Sequence, residues 1–106
     1  MATRYLIALL ILSFASLATA QSKMSAQEGY RIARKLCSNC HAIDQQGATI
    51  IRTDVPSFRR IANRSQVTPE RLAAAIIIPH PEMPGISVTR TEIQAIVAYI
   101  MSLKNK

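Results

Sequence analysis

A chain of 106 residues makes one domain at most. Thirteen Lys and Arg against six Asp and Glu give a net charge of +7. The cations are scattered, with no basic run longer than Arg34-Lys35 or Arg59-Arg60, and aromatic residues are few, which argues against nucleic acid as a partner. The only two cysteines, Cys37 and Cys40, would close so short a loop that a purely structural bridge between them adds little to a fold.

The elements follow in chain order. Arg4 precedes an apolar run from Tyr5 to Leu12, continued by Phe14 to Leu17 and closed by the small residues Ala18-Thr19-Ala20. A charged start, a short apolar stretch and an A-x-A site define a secretory signal over residues 1–20, leaving a domain of residues 21–106. The run is shorter than the roughly 20 residues that cross a bilayer, so no stable membrane insertion is expected once the leader is removed. The remaining domain is small for a self-sufficient hydrophobic core. Such domains usually need a staple, and a large flat cofactor buried in the middle would serve as one.

Ser25-Ala26-Gln27-Glu28 has the form of a capping box, with Ser25 at the N-cap of a helix over about Ala26 to Leu36. Gly29, Ala33, Leu36 and Cys37 share one face of that helix, and its two small residues suit the close approach of another helix. The stretch from His41 to Val55 reads as irregular, with a turn at Gly47. Asp54-Val55-Pro56 then leads into a short helix over about Ser57 to Asn63. Thr68-Pro69-Glu70 opens a helix over Pro69 to Ile77, with Thr at the N-cap, Pro at the first helical position and an acid in the first turn. Pro79, Pro81 and Pro84 forbid helix and predict an extended loop to Ser87. Thr89-Arg90-Thr91-Glu92 is a second capping box. It opens an amphipathic helix of about 14 residues, whose stripe is Ile93, Ile96, Val97, Ile100 and Leu103. Strand signals are weak throughout, and the fold class expected is all-α.

Cys37-Ser38-Asn39-Cys40-His41 carries the chemistry. Two thiols at this spacing can add across the two vinyl groups of one haem, and the next residue then offers an imidazole to the iron. Other uses of paired cysteines fit less well. A thioredoxin-like motif needs a βαβ context that this chain lacks, and structural zinc needs four ligands where only Cys37, Cys40, His41 and His80 are at hand. A low-spin iron needs a sixth ligand, for which Met24, Met83, Met101 and His80 are the candidates. Met83 sits between two prolines in the loop after the third helix and is favoured over its neighbour His80, both for that position and because a soft, neutral thioether favours Fe(II). Phe58, Leu72, Ile76, Ile77 and Ile86 are candidates to line the apolar pocket, and Arg52, Arg59 and Arg60 to meet a haem propionate.

Taken together, residues 25–104 resemble a class I cytochrome c of the small bacterial type. The likeness rests on the Gly29 helix leading into Cys37-Ser38-Asn39-Cys40-His41, on Val55-Pro56-Ser57-Phe58, on His80-Pro81-Glu82-Met83-Pro84, and on Ala98-Tyr99-Ile100 in the last helix. It implies three to five helices wrapped around one covalently bound haem c. By the same resemblance Met83 is the distal iron ligand, and the Pro56 carbonyl orients the proximal His41, a bond that raises imidazole basicity. The resemblance also implies that the first and last helices cross closely, setting Gly29 and Ala33 against Ile96 and Tyr99. Family members often carry an aromatic where Ala33 stands, for which Tyr30 is the compensating neighbour.

The function expected is a monomeric one-electron carrier of the periplasm rather than an enzyme. Its cofactor is held by Cys37, Cys40, His41, Pro56, Phe58 and Met83, with the iron between His41 and Met83. The positive charge would steer it to acidic patches on a dehydrogenase, reductase or oxidase. Two alternatives remain open: a ligand-binding or weakly catalytic haem protein with a labile Met83, and a haem-free thiol or zinc module.

Overall fold

Local signals explain most of the helices that form. The computed structural model describes residues 25–44, 54–78, 80, 83 and 85–106, and among them the architecture is all-α, with four helical segments and no strand. Residues 25–36 form α1. Ser25 is itself helical, so it does not cap the helix as its sequence suggests. Glu28 turns instead to Arg31, one turn along, in an exposed ion pair of 3.2 Å. The helix α2, Phe58–Ala62, begins where the Ser57 side chain accepts the Arg60 N–H, and it ends at Asn63. The helix α3, Pro69–Ile77, is capped by Thr68, whose hydroxyl accepts the Arg71 N–H at 3.2 Å.

The last helix, α4, spans Arg90–Ser102 and opens with the complete capping box. The Thr89 N–H donates to Glu92 Oε2 at 2.7 Å, and the Glu92 N–H donates to Thr89 Oγ1 at 3.2 Å. Two otherwise orphaned donors are thereby satisfied by a pair of residues three apart.

The helix α4 organises the rest. Ile93, Ile96, Val97 and Ile100 of its stripe are buried as expected, and Leu103 packs half-buried against them. Ala95, off that stripe, is buried too, because α1 crosses there. A Cβ on Gly29 would lie 1.8 Å from the Ala95 carbonyl oxygen, so only glycine permits this approach. One turn on, Ala33 is fully buried, and Tyr30 meets Tyr99 edge-on with ring centroids 5.3 Å apart. Tyr30 thus supplies the aromatic contact that Ala33 cannot.

Both α2 and α3 also pack on α4. The far end of α4 is tied to α2 through Asn63, whose amide donates to the carbonyls of Arg59 and Leu103 and accepts the N–H of Asn105. Asn105 takes a left-handed backbone, φ 62°, which asparagine adopts more readily than most residues.

Between α3 and α4, the described residues 85–89 carry no helix or strand. The Met83 N–H donates to the His80 carbonyl at 2.9 Å, while Pro79, Pro81 and Pro84 lie outside the described residues. The proposed leader over residues 1–20, the Gly47 turn, Met24 and Arg52 lie outside the described residues.

Candidate haem site

The chain enters the site from α1. Its last turn runs on through Cys37, whose N–H donates to the Ala33 carbonyl at 2.8 Å. The N–H groups of Cys40 and His41 then both donate to the Cys37 carbonyl, at 3.1 and 2.9 Å. This tight turn places two thiols and an imidazole within five residues. The thiols are not bonded to each other, and Cys37 is buried while Cys40 is partly exposed. Burial pushes the Cys37 thiol up to about 11, since an apolar surrounding disfavours the thiolate. Among the described residues, no three His, Cys, Asp or Glu side chains gather as a metal cluster would require.

His41 is oriented from outside the motif. Its Nδ1 donates to the Pro56 carbonyl at 2.7 Å. A carbonyl only accepts, so the proton sits on Nδ1 and Nε2 keeps its lone pair. The Phe58 ring, 3% exposed, lies with its centroid 5.4 Å from that of the imidazole.

In front of His41 opens a cavity of about 530 Å³, within the range of a small-molecule or cofactor site. Cys37, Pro56 and Phe58 share its wall with His41, Leu72 and Ile76 of α3, and Ile96 and Ile100 of α4. Met83, half-buried, and His80, exposed, close another part of the same wall. A smaller adjoining hollow of about 60 Å³ shares Cys37, His41, Pro56, His80 and Met83 with it and adds Cys40. Cys37, His41 and Met83 thus line both spaces, and Cys40 lines the smaller one beside them. A flat tetrapyrrole held by two thioether links, with a nitrogen and a sulfur donor to its metal, fits that donor set and that volume.

Several sequence expectations shift here. Of the proposed apolar lining, Phe58, Leu72, Ile76 and Ile86 reach the cavity. Ile77 does not: it is 63% exposed, one residue beyond the inward face of α3. Neither Arg59 nor Arg60 lines the cavity. The register of α2 turns Phe58 and Ala62 inward and leaves both arginines at the surface, where the Arg59 guanidinium donates to the Lys106 main-chain oxygen. Met101 sits within α4, packed against the core and away from the cavity wall. The cations that do line the cavity are Arg64 and Arg71, neither of which the sequence singles out. Arg71 is braced by Gln66, whose carbonyl and side-chain oxygens accept from its Nη1 at 3.1 and 2.9 Å. Their only sequence signal is spacing around the Thr68 cap, on the turn before α3 and on its first turn.

Residues 24–100 match the family described as cytochrome c oxidase, cbb3-type, subunit III. Over 95 residues the chain is 37% identical to cytochrome c-552 of Bradyrhizobium diazoefficiens, an alignment covering 90% of each chain. No solved structure matches at comparable stringency.

Proposed function

The chain belongs to the c-type cytochrome family described as cytochrome c oxidase, cbb3-type, subunit III, and on that footing we propose that it is a periplasmic monohaem electron carrier with its iron held between His41 and Met83. The covalently bound haem c supplies a one-electron couple between Fe(III) and Fe(II). The chain's own residues do the rest. Cys37 and Cys40 hold the cofactor, and the His41–Pro56 bond keeps the imidazole in the tautomer that leaves Nε2 free to ligate. That bond, beside a cavity lined by Cys37 and Met83 and an adjoining hollow that adds Cys40, is the observation that carries the reading. Phe58, Leu72, Ile76, Ile96 and Ile100 exclude water from the same space. A thioether ligand favours the reduced state relative to a second histidine. Arg64 and Arg71 offer cations to the cofactor's carboxylates, a role for which arginine's planar fork is suited.

Residues 1–20 serve as the export leader, cleaved after Ala20, so the first residue of the secreted protein is Gln21. Among the described residues no helix is long and apolar enough to cross a membrane. Redox proteins are the partners, and the positive charge selects acidic surfaces on a dehydrogenase, reductase or oxidase. Ile77 and Ile78, 63% and 76% exposed at the end of α3, give such a short-lived contact an apolar centre next to the cavity residues Ile76 and His80.

Because His80 lines the same cavity, the test must separate it from Met83. The oxidised holoprotein should show the near-infrared band of thioether-to-Fe(III) ligation. Met83→Ala should abolish that band, and His80→Ala should leave it in place. A wild-type spectrum that is already high-spin would instead support a ligand-binding haem protein with a labile Met83.

A further inference from the structure

The three residues after His41 are held by three different helices. The Ala42 carbonyl accepts the N–H of Phe58, at the start of α2, at 2.9 Å. The Ile43 carbonyl accepts the Tyr99 hydroxyl of α4 at 2.5 Å. Asp44 Oδ2 accepts the Tyr30 hydroxyl of α1 at 3.0 Å. The Ile43 side chain is 5% exposed, so its segment lies against the core. The two tyrosine rings rest edge-on against each other, and the Tyr99 ring in turn lies 6.3 Å from Phe58, the residue beside His41. Neither tyrosine is needed at these positions for its hydroxyl if helix crossing is the sole demand, because phenylalanine would fill the same ring contact. Both hydroxyls nevertheless reach the same short segment, from opposite ends of the chain.

We propose that Tyr30 and Tyr99 are positioning residues for His41, a two-hydroxyl clamp through which the crossing of α1 and α4 sets the orientation of the imidazole. The inference rests on the reading that His41 ligates the iron. The mechanical argument is direct. His41 is fixed on its N-terminal side by its own N–H bond to Cys37 and through its ring by Pro56. If the segment 42–44 loosens, the His41 backbone can turn and the ring must lengthen its bond to Pro56 to follow. The clamp also explains why an aromatic stands at 30 rather than at 33. Ala33 is fully buried, whereas the Tyr30 hydroxyl reaches Asp44 at the edge of the core.

The test uses the oxidised holoprotein and reads two proton-NMR signals: solvent exchange of the His41 ring N–H, and the spread of the haem methyl resonances, which reports the plane of the axial imidazole. Tyr99→Phe keeps the ring and removes one hydrogen bond, so the His41 N–H is expected to exchange roughly fivefold faster, with an altered methyl spread. Tyr30→Phe should act in the same direction. Ile93→Val, in the core of α4 but not on the cavity wall, is the control: it should lower stability by a similar amount and leave both signals at wild-type values. Asp44→Asn keeps an oxygen for the Tyr30 hydroxyl and should restore what Asp44→Ala loses. Unchanged His41 signals in both tyrosine variants, or an equal change in Ile93→Val, would overturn the clamp while leaving the ligation intact. A wild-type holoprotein whose His41 ring N–H shows no shift from the iron's paramagnetism would overturn the ligation reading and the clamp with it.

Discussion

At the scale of single residues, the side chains that matter are those whose chemistry is fixed by a neighbour. His41 is an acceptor toward the cavity because its Nδ1–H donates to the Pro56 carbonyl. Arg64 and Arg71 are the clearest case of a role hidden from the sequence. Eleven other cationic side chains share their composition class, and only tertiary placement of the α2–α3 turn brings these two to the cavity. Their removal tests the assignment. A cation near the cofactor stabilises the reduced, less positive state, so Arg64→Gln with Arg71→Gln should lower the reduction potential. The effect should be on the order of 0.5 kcal/mol per charge at ordinary salt, since both side chains are exposed and screened. Redox titration of the purified double variant measures it, and Arg59→Gln, whose partner is the Lys106 main chain, should leave the potential unchanged. The attachment motif itself was legible because three residues at fixed spacing, Cys37, Cys40 and His41, encode one reaction. Ile76 and Ile77 were not separable, because both are apolar neighbours and only the register of α3 decides which faces in.

Among the elements, caps and crossings were legible to different degrees. Thr68 and Thr89 announced their helices because capping is a matter of a few adjacent residues. Ser25 misled because a capping pattern is only permissive, and here the helix already includes it. Glu92 gives the last cap a pH dependence. The Thr89 N–H, then the Thr89 hydroxyl, with a smaller pull from Lys35, hold its carboxyl below the ordinary value of 4.5. The folded state therefore binds this proton less readily than the unfolded one. The contribution is fully present above pH 4.5 and is lost as pH falls through the lowered folded value. In denaturant titrations Glu92→Gln should be less stable than wild type at pH 7, and the gap should close on acidification. Thr89→Ala should cost about 1 kcal/mol at neutral pH. The α1–α4 crossing is more exacting. Gly29→Ala gains helix propensity of nearly 1 kcal/mol, yet its methyl would meet the Ala95 carbonyl, a backbone atom that cannot move aside. A net loss of about 1–3 kcal/mol is expected from the overpacking, read as a lower denaturation midpoint in the holoprotein.

For the whole molecule, the cofactor is part of the fold. The α2, α3 and α4 side chains that would close a core in a larger protein instead surround a space of about 530 Å³, in a domain too small to leave its centre unfilled. Cys37→Ser with Cys40→Ser should therefore yield a chain that keeps helical far-ultraviolet dichroism in part but loses its cooperative thermal transition. The surface charge predicts a matching behaviour in solution: electron transfer to an acidic partner should slow as ionic strength rises, while transfer to a neutral small-molecule oxidant should not.

The redox and cofactor expectations depend on one chain carrying one covalently held haem at Cys37 and Cys40. Acid–acetone extraction of the purified protein, followed by thiol titration, tests this most directly. The account predicts that one haem per chain stays with the precipitated polypeptide and that no free thiol is found. Haem released into the acetone, with two reactive thiols per chain, would contradict it.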